Sequence, residues 1–409
     1  MTNKSKTYWA CAMTFLSFFL SWSFAYSLFP LWLNQSLGLS GQKIGLIFGA
    51  NACAVLLSMP VFGILQDKLG VKKSLLIGLS VLTVFVGPFF VFIYQPLLSS
   101  YFIGGVVIGA IYSALAFGGA VGTLEAFIER IGRQQLIEFG KTRFWGSIGW
   151  AFAMFAAGSL FNISPSINFW LSSCFGACLL ACLLWLPQPI SESKTPDTTN
   201  VKMGDIAALF KQKSFWRMCV FVTGVSCLYQ IFDQQFAIYY ASFFDTTQNG
   251  NRYYGYVSSF QVFLEAGMMF LAPLLVNRMG AKNGLLVSGF VMSLRILGAG
   301  MAADPVSISV IKLLHAIELP LLLVSMFKYI ITVFDERLSA TIYLVGFGVF
   351  TQVIVMSLSS YVGHFYDQFG FANTYLVLGS IVLLNVCLSS QLLESTPPKN
   401  VKMTPVQST

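Results

Sequence analysis

Apolar residues in this 409-residue chain come in long blocks, not in strict alternation and not in a single helical stripe. Each block is long enough to cross a hydrocarbon core of about 30 Å as a helix. The pattern predicts spans over residues 9–33, 43–65, 74–96, 101–128, 143–162, 167–188, 215–242, 254–277, 283–302, 306–333, 340–364 and 371–394. This is an all-α integral membrane fold with twelve transmembrane helices. The first block is too long for the apolar region of a cleaved signal and no small-x-small site follows it, so it is expected to remain as a span.

The longest polar interruption, 189–214, divides the helices six and six. The expected organisation is a first six-helix bundle over 1–188, a linker over 189–214, a second bundle over 215–394 and a tail over 395–409. Within the linker, Gly204 to Lys213 has the pattern of a short amphipathic surface helix. The halves also resemble each other. "DKLGVKKSLL" (67–76) follows the second span and "NRMGAKNGLL" (277–286) follows the eighth, with Gly70 matching Gly280 and Lys72 matching Lys282. Each reads as a tight turn between two helices, with glycine supplying the backbone freedom. Duplicated six-helix halves are a transporter architecture, with the substrate site between the halves near mid-membrane.

Composition agrees. The chain is 56% hydrophobic and 10% charged, with 39 Phe, and no soluble domain of this size could bury that much apolar side chain. The net charge of +8 could suggest a nucleic-acid partner, but the cations alternate by side. Lys4, Lys6, Lys72, Lys73, Arg130, Arg133, Lys141, Arg217, Arg278 and Lys282 fall at one face, and mainly Lys43 and Arg252 at the other. The positive-inside rule makes the richer face cytoplasmic and puts both termini there. The charge therefore concerns topology, and no nucleic acid is expected. Cys174, Cys178 and Cys182 recur on one helical face without nearby His or carboxylate, which reads as packing and not as a metal site. No zinc-protease, nucleophile-elbow or phosphate-loop motif occurs, so neither an enzyme nor a cofactor is expected.

Against this apolar background the intramembrane charges stand out. Lys312, His315 and Glu318 follow one another at three-residue steps, so they share one helix face within about 120° of arc. Glu125, Arg143, Asp233, Glu265 and Arg295 also lie in or near predicted spans. Each would cost about 2.5–3.5 kcal/mol unpaired at a helix centre, so they must face one another or a water-filled cavity. Asp233 with Lys312 fits a structural pair. Glu265, Arg295, His315 and Glu318 exceed what one pair needs. A carboxyl removed from water can hold a proton and release it when a cation approaches, which is what a proton-coupled carrier requires. In the first half, Glu125, Arg143 and Trp150 supply an acceptor, a forked donor and an indole face, which are the requirements of a sugar ring. Trp150 alone reads more readily as packing than as a ligand contact.

In order along the chain, "LFPLWL", "GILQDKLGVKK", "EAFIER", "FDQQFA", "APLLVNRMGAKN", "LLHAIELP", "FKYI", "LSATIYL" and "TYLVLG" make nearly the whole chain resemble the oligosaccharide:proton symporter branch of the major facilitator superfamily. The resemblance implies alternating access in a bacterial cytoplasmic membrane and inward sugar transport driven by protons. It implies that Glu125 and Arg143 bind sugar, that Trp150 stacks on a ring, and that Glu265 and Gln352 complete the substrate set. Arg295, His315 and Glu318 correspond to the proton-coupling group, with Glu318 as the proton site, and Asp233 with Lys312 to an interhelical charge pair.

Two positions depart from the lactose-transporting members. A second charge pair is replaced by Gln230 and Thr351, and the eighth-helix acid is displaced from Val262 to Glu265. "SFQVFLEA" (259–266) and "ISPSINFW" (163–170) resemble the sucrose-transporting members, whereas Glu125 and Trp150 keep lactose-type identities. The expectation is a monomer in lipid that carries sucrose or a related sugar, with a galactoside as the alternative. An exporter on the same fold, or a sensor that binds without transport, are the rival readings.

Overall fold

The computed structural model describes residues 3–69, 73–186, 209–335 and 338–395. Its helices are α1 (Lys4–Ser36), α2 (Gly41–Leu69), α3 (Lys73–Val84 continuing through Val86–Ser100), α4 (Phe102–Gln135), α5 (Phe139–Ile163) and α6 (Pro165–Trp185). The second half holds α7 (Lys213–Ala241), α8 (Thr247–Met279), α9 (Ala281–Met301), α10 (Pro305–Val333) and the long stretch Tyr343–Leu392. That stretch is two spans, α11 and α12, because Gly370 breaks it with φ 76°. The twelve expected spans are therefore all present. Most run a few residues past their apolar blocks, since helical hydrogen bonding continues into the polar boundary.

Proline explains two breaks within spans. Pro88 has no N–H, and its ring presses on the carbonyl four residues back, at Val84. The two parts of α3 meet there at 46°. Pro30 acts likewise on α1, whose helix is interrupted just after Tyr26. At the start of α10, Asp304 accepts from the backbone N–H of Ser307 and Val306 while Ser307 Oγ accepts from the Asp304 N–H. The Ser307 bonds, backbone first, hold the Asp304 carboxyl below its ordinary range. Gly280, at φ 83°, makes the α8–α9 turn that the sequence predicts. Its counterpart Gly70 lies outside the described residues, as do most of the linker expected over 189–214 and the tail after 395.

The halves meet along two seams, α2 with α11 and α5 with α8. Both seams are closest at the end opposite the termini. A Cβ on Gly45 would stand 2.2 Å from the Ser359 carbonyl oxygen, and one on Gly363 2.1 Å from that of Gly41. On the other seam, a Cβ on Gly158 would stand 2.3 Å from the Asn251 carbonyl oxygen, and one on Gly255 2.6 Å from that of Met154. Glycine lets these backbones touch, as small residues do in membrane helix packing. Polar bonds fasten the same end. The Asp367 carboxylate on α11 accepts from the backbone N–H of Gly41 (2.7 Å) and Gln42 (2.8 Å) in the first turn of α2. Asn251 bonds Gln35 at 3.0 Å and Asn162 at 3.1 Å. Deeper in, past the Gly49–Met356 contact, α2 and α11 part around a cavity of about 390 Å³.

Substituting Gly45 with Val should force this end apart. A reactive thiol placed beside the α2–α11 seam should then be alkylated several-fold faster than in the parent. Unchanged labelling would mean that the close glycine contacts do not hold the end shut.

Candidate functional site

The second half builds its charge cluster around one arginine. Arg295, on α9, is 1% exposed. Its guanidinium Nη2 donates to Asp233 Oδ2 on α7 at 2.9 Å, and its Nε lies 2.9 Å from Glu318 Oε1 on α10. The Nε–H is not aligned on that oxygen, so the second contact is an ion pair without a good hydrogen bond. The guanidinium also lies over the Phe232 ring, 4.9 Å from its centroid, which supplies part of the solvation that water would give.

Glu318 is fully buried. One oxygen, Oε1, is shared between Arg295 and His315 Nδ1, the latter also at 2.9 Å. The other, Oε2, has no hydrogen-bond partner. A buried carboxyl oxygen without a partner carries a desolvation cost. His315 also lies 3.9 Å from Asp233, and its ring is 5.5 Å from that of Tyr229. Arg295, His315 and Glu318 are thus brought together as the sequence suggests.

The expected pairing of Asp233 with Lys312 is not the one formed. Asp233 is taken by Arg295, and Lys312 instead places its ammonium over the rings of Tyr254 (4.7 Å) and Phe236 (5.4 Å). Arg295 of α9 reaches Asp233 directly at 2.9 Å, and the Lys312 ammonium is left against the two aromatic faces.

In the first half, Arg143 Nε donates to Glu125 Oε1 at 2.8 Å, and both side chains are about one-third exposed. The guanidinium lies 4.1 Å from the centroid of the Phe19 ring. Trp150 is held edge-on by Trp22 at 5.5 Å and 84° and by Phe19 at 6.3 Å and 63°. The pair has donors and an acceptor left over and reaches water, so it can meet a polyol. Glu265 is half-buried on α8, where the charges of His315 and Lys312 on α10 and, more weakly, Arg143 across the interface act on it. Gln352 lines the 390 Å³ cavity with Asp233, Gln230, Gln234, Tyr229 and Asn51. Of these, Asn51, Tyr229 and Gln234 do not stand out in the sequence. An amide or phenol in an apolar block is a weak signal, although the adjacent amides after Asp233 could have pointed to it. Phe19 and Trp22, which brace the first-half site, carry no sequence signal beyond hydrophobicity. Among the described residues no group of His, Cys, Asp and Glu is placed to hold a metal ion.

The fold and its buried charge cluster define a membrane transporter of the major facilitator type. Solved structures agree on the fold: a nucleoside transporter superposes with a TM-score of 0.82 at 16% identity, covering 95% of this chain and 100% of its own. A D-xylose–proton symporter does so with a TM-score of 0.71 at 13% identity, covering 96% and 98%. The chain belongs to the LacY proton/sugar symporter family, whose sequence model matches residues 1–406. It is 40% identical to a sucrose permease of Escherichia coli over 98% of this chain and 96% of that one. It is 39% identical to a raffinose permease of Escherichia coli over 97% and 95%, and 39% identical to a lactose permease of Klebsiella oxytoca over 87% of each chain.

Arg295→Met would leave two buried acids without their shared cation. Breaking a buried pair from one side costs about 3–5 kcal/mol. The variant should unfold at a clearly lower temperature in detergent, and adding Glu318→Gln should recover a large part of the loss. Equal midpoints for Arg295→Met and the parent would remove the cluster from the account of stability.

Proposed function

We propose that this chain moves a disaccharide inward together with a proton, by alternating access in a bacterial cytoplasmic membrane. The observation that carries the reading is the sharing of Arg295 between Asp233 and Glu318. One guanidinium can neutralise only one of the two acids fully. When Arg295 turns toward Asp233, Glu318 is left buried with His315 and takes a proton on Oε2. When Arg295 turns toward Glu318, the proton leaves. A proton acceptor whose charge is gated by a neighbouring cation is the device that a symporter needs.

In this reading Glu125 and Arg143 hold hydroxyls of one sugar ring, Trp150 offers a ring face and Glu265 bridges the two halves. Asp233 and Lys312 balance the charge around Arg295. The basic end, with both termini, faces the cytoplasm by the positive-inside rule. The glycine seams then close the outer end, and the arrangement is the inward-facing one. Each chain contributes both halves of its own cavity, so the unit is expected to be a monomer.

For the sugar, identities to the sucrose, raffinose and lactose permeases differ by one percentage point, so overall similarity does not choose among them. The displaced acid in "SFQVFLEA" favours sucrose or a related glucosyl or fructosyl sugar. The lactose-type Glu125 and Trp150 favour a galactoside as the second reading.

Glu318→Gln keeps the shape of the proton site and removes its charge. In membrane vesicles it should abolish accumulation against a gradient by tenfold or more while sugar exchange across the membrane persists. Loss of exchange to the same degree would show that Glu318 serves binding and not proton coupling. Arg143→Ala should abolish binding itself, read by equilibrium binding of labelled sugar; retained affinity would take the sugar away from Glu125 and Arg143.

A further inference from the structure

We infer that the groove between α2 and α4, on the membrane-facing side of the first half, is a binding site for one anionic phospholipid, with an acyl chain in the groove and the phosphate at Lys43. The groove measures about 440 Å³. Short side chains at Ala50 and Ala54 on α2 and at Ala110 and Ala114 on α4 leave it hollow, and Leu57 and Val61 stand exposed along it. Exposed aliphatic side chains at mid-span mark a surface turned to hydrocarbon and not to the polar interior. The hydroxyl in the wall, Ser58 Oγ, donates to the Val55 carbonyl of its own helix at 2.8 Å. The wall therefore offers water almost nothing, and an apolar hollow open to a bilayer takes up hydrocarbon.

A cation stands at one end of this hollow. Positions 43, 50, 54, 57 and 61 lie on one face of α2, within about 60° of arc. Lys43 thus heads the same stripe that lines the groove. Its ammonium lies 5.3 Å from the centroid of the Phe102 ring, where α4 begins, so it bridges the two helices at that end. The adjacent Tyr101 is exposed, as aromatic side chains are at a membrane–water interface. Among the described residues no carboxylate forms an ion pair with Lys43. A ring face satisfies an ammonium only in part, and its N–H groups remain free for an anion.

The spacing fits a phospholipid. Along the helix, Ala50 lies about 10 Å from Lys43 and Leu57 about 21 Å. Half of the hydrocarbon core is about 15 Å, so a chain hanging from a phosphate at Lys43 enters the groove before it reaches the bilayer centre. The sequence places mainly Lys43 and Arg252 as cations at this end of the molecule, so an anionic headgroup has few other places to pair. A zwitterionic lipid would gain the groove without the full charge attraction.

The test reconstitutes the full-length protein into bilayer discs of phosphatidylcholine that contain a little phosphatidylglycerol with a photoreactive diazirine in its acyl chain. A second preparation carries the same label on phosphatidylethanolamine. After illumination the labelled peptides are quantified. Phosphatidylglycerol should label the peptides that hold Leu57 and Ala110 several-fold more than other membrane-facing helices, and more than phosphatidylethanolamine does. Lys43→Gln should lower that labelling about fivefold, the contribution of one interfacial cation. Lys43→Arg should restore it, which also separates loss of charge from misfolding, and Arg252→Gln should leave it as in the parent. Ala54→Phe, which fills the groove and keeps the cation, should move the label elsewhere. Equal labelling by the two lipids, uniform labelling of all membrane-facing helices, or groove labelling that Lys43→Gln leaves unchanged overturns the site. Cross-links between two copies of the chain at these peptides, in place of lipid, assign the groove to a second copy and overturn it as well.

Discussion

A single buried guanidinium organises the second half of this protein. Arg295 sits out of contact with water between acids on two other helices, Asp233 of α7 and Glu318 of α10, with an aromatic ring beneath it. A cation in such a place must be neutralised, and it ties α7, α9 and α10 to a common point. Because two acids compete for it, the neutralisation is never complete for both. The proposed proton step rests on that competition.

The rest of the architecture gives the cluster something to respond to. The two halves touch closely where glycine removes the side chains, along α2–α11 and α5–α8, and they part around a cavity bordered by Asp233. The first half brings an acid–arginine pair about one-third exposed, with aromatic support, and Glu265 lies where charges from both halves reach it. Binding energy from a ligand that bridges the halves can therefore bear on the Arg295 cluster through contiguous groups. Differential contact of this kind is the physical requirement for coupling two sites.

Much of this was legible in the sequence. Long apolar blocks fix the number of spans, and ionisable residues inside them announce the site because each is too costly to be there by accident. Arg295, His315 and Glu318 were found in this way, and they do meet. What sequence did not yield was the partnership of Asp233. Periodicity places Lys312, His315 and Glu318 on one face, but it carries no information about which cation from which helix reaches Asp233, and Arg295 of α9 does so while Lys312 lies against Tyr254 and Phe236. Amides such as Asn51 and Gln234 were also missed, since an uncharged polar side chain costs too little in a span to be conspicuous. The seam glycines are visible as letters, but their role depends on a partner helix hundreds of residues away.

The most direct test of the central claim is extracellular pH in unbuffered, de-energised cells that express the protein, followed as sucrose, lactose, melibiose, maltose and raffinose are added in turn. Inward movement of sugar and proton together predicts prompt alkalinisation with at least one of them, absent in the Glu318→Gln variant. Entry of a labelled sugar with no change in pH would contradict the account: the protein would then be a facilitator, and the shared arginine would be a structural feature alone.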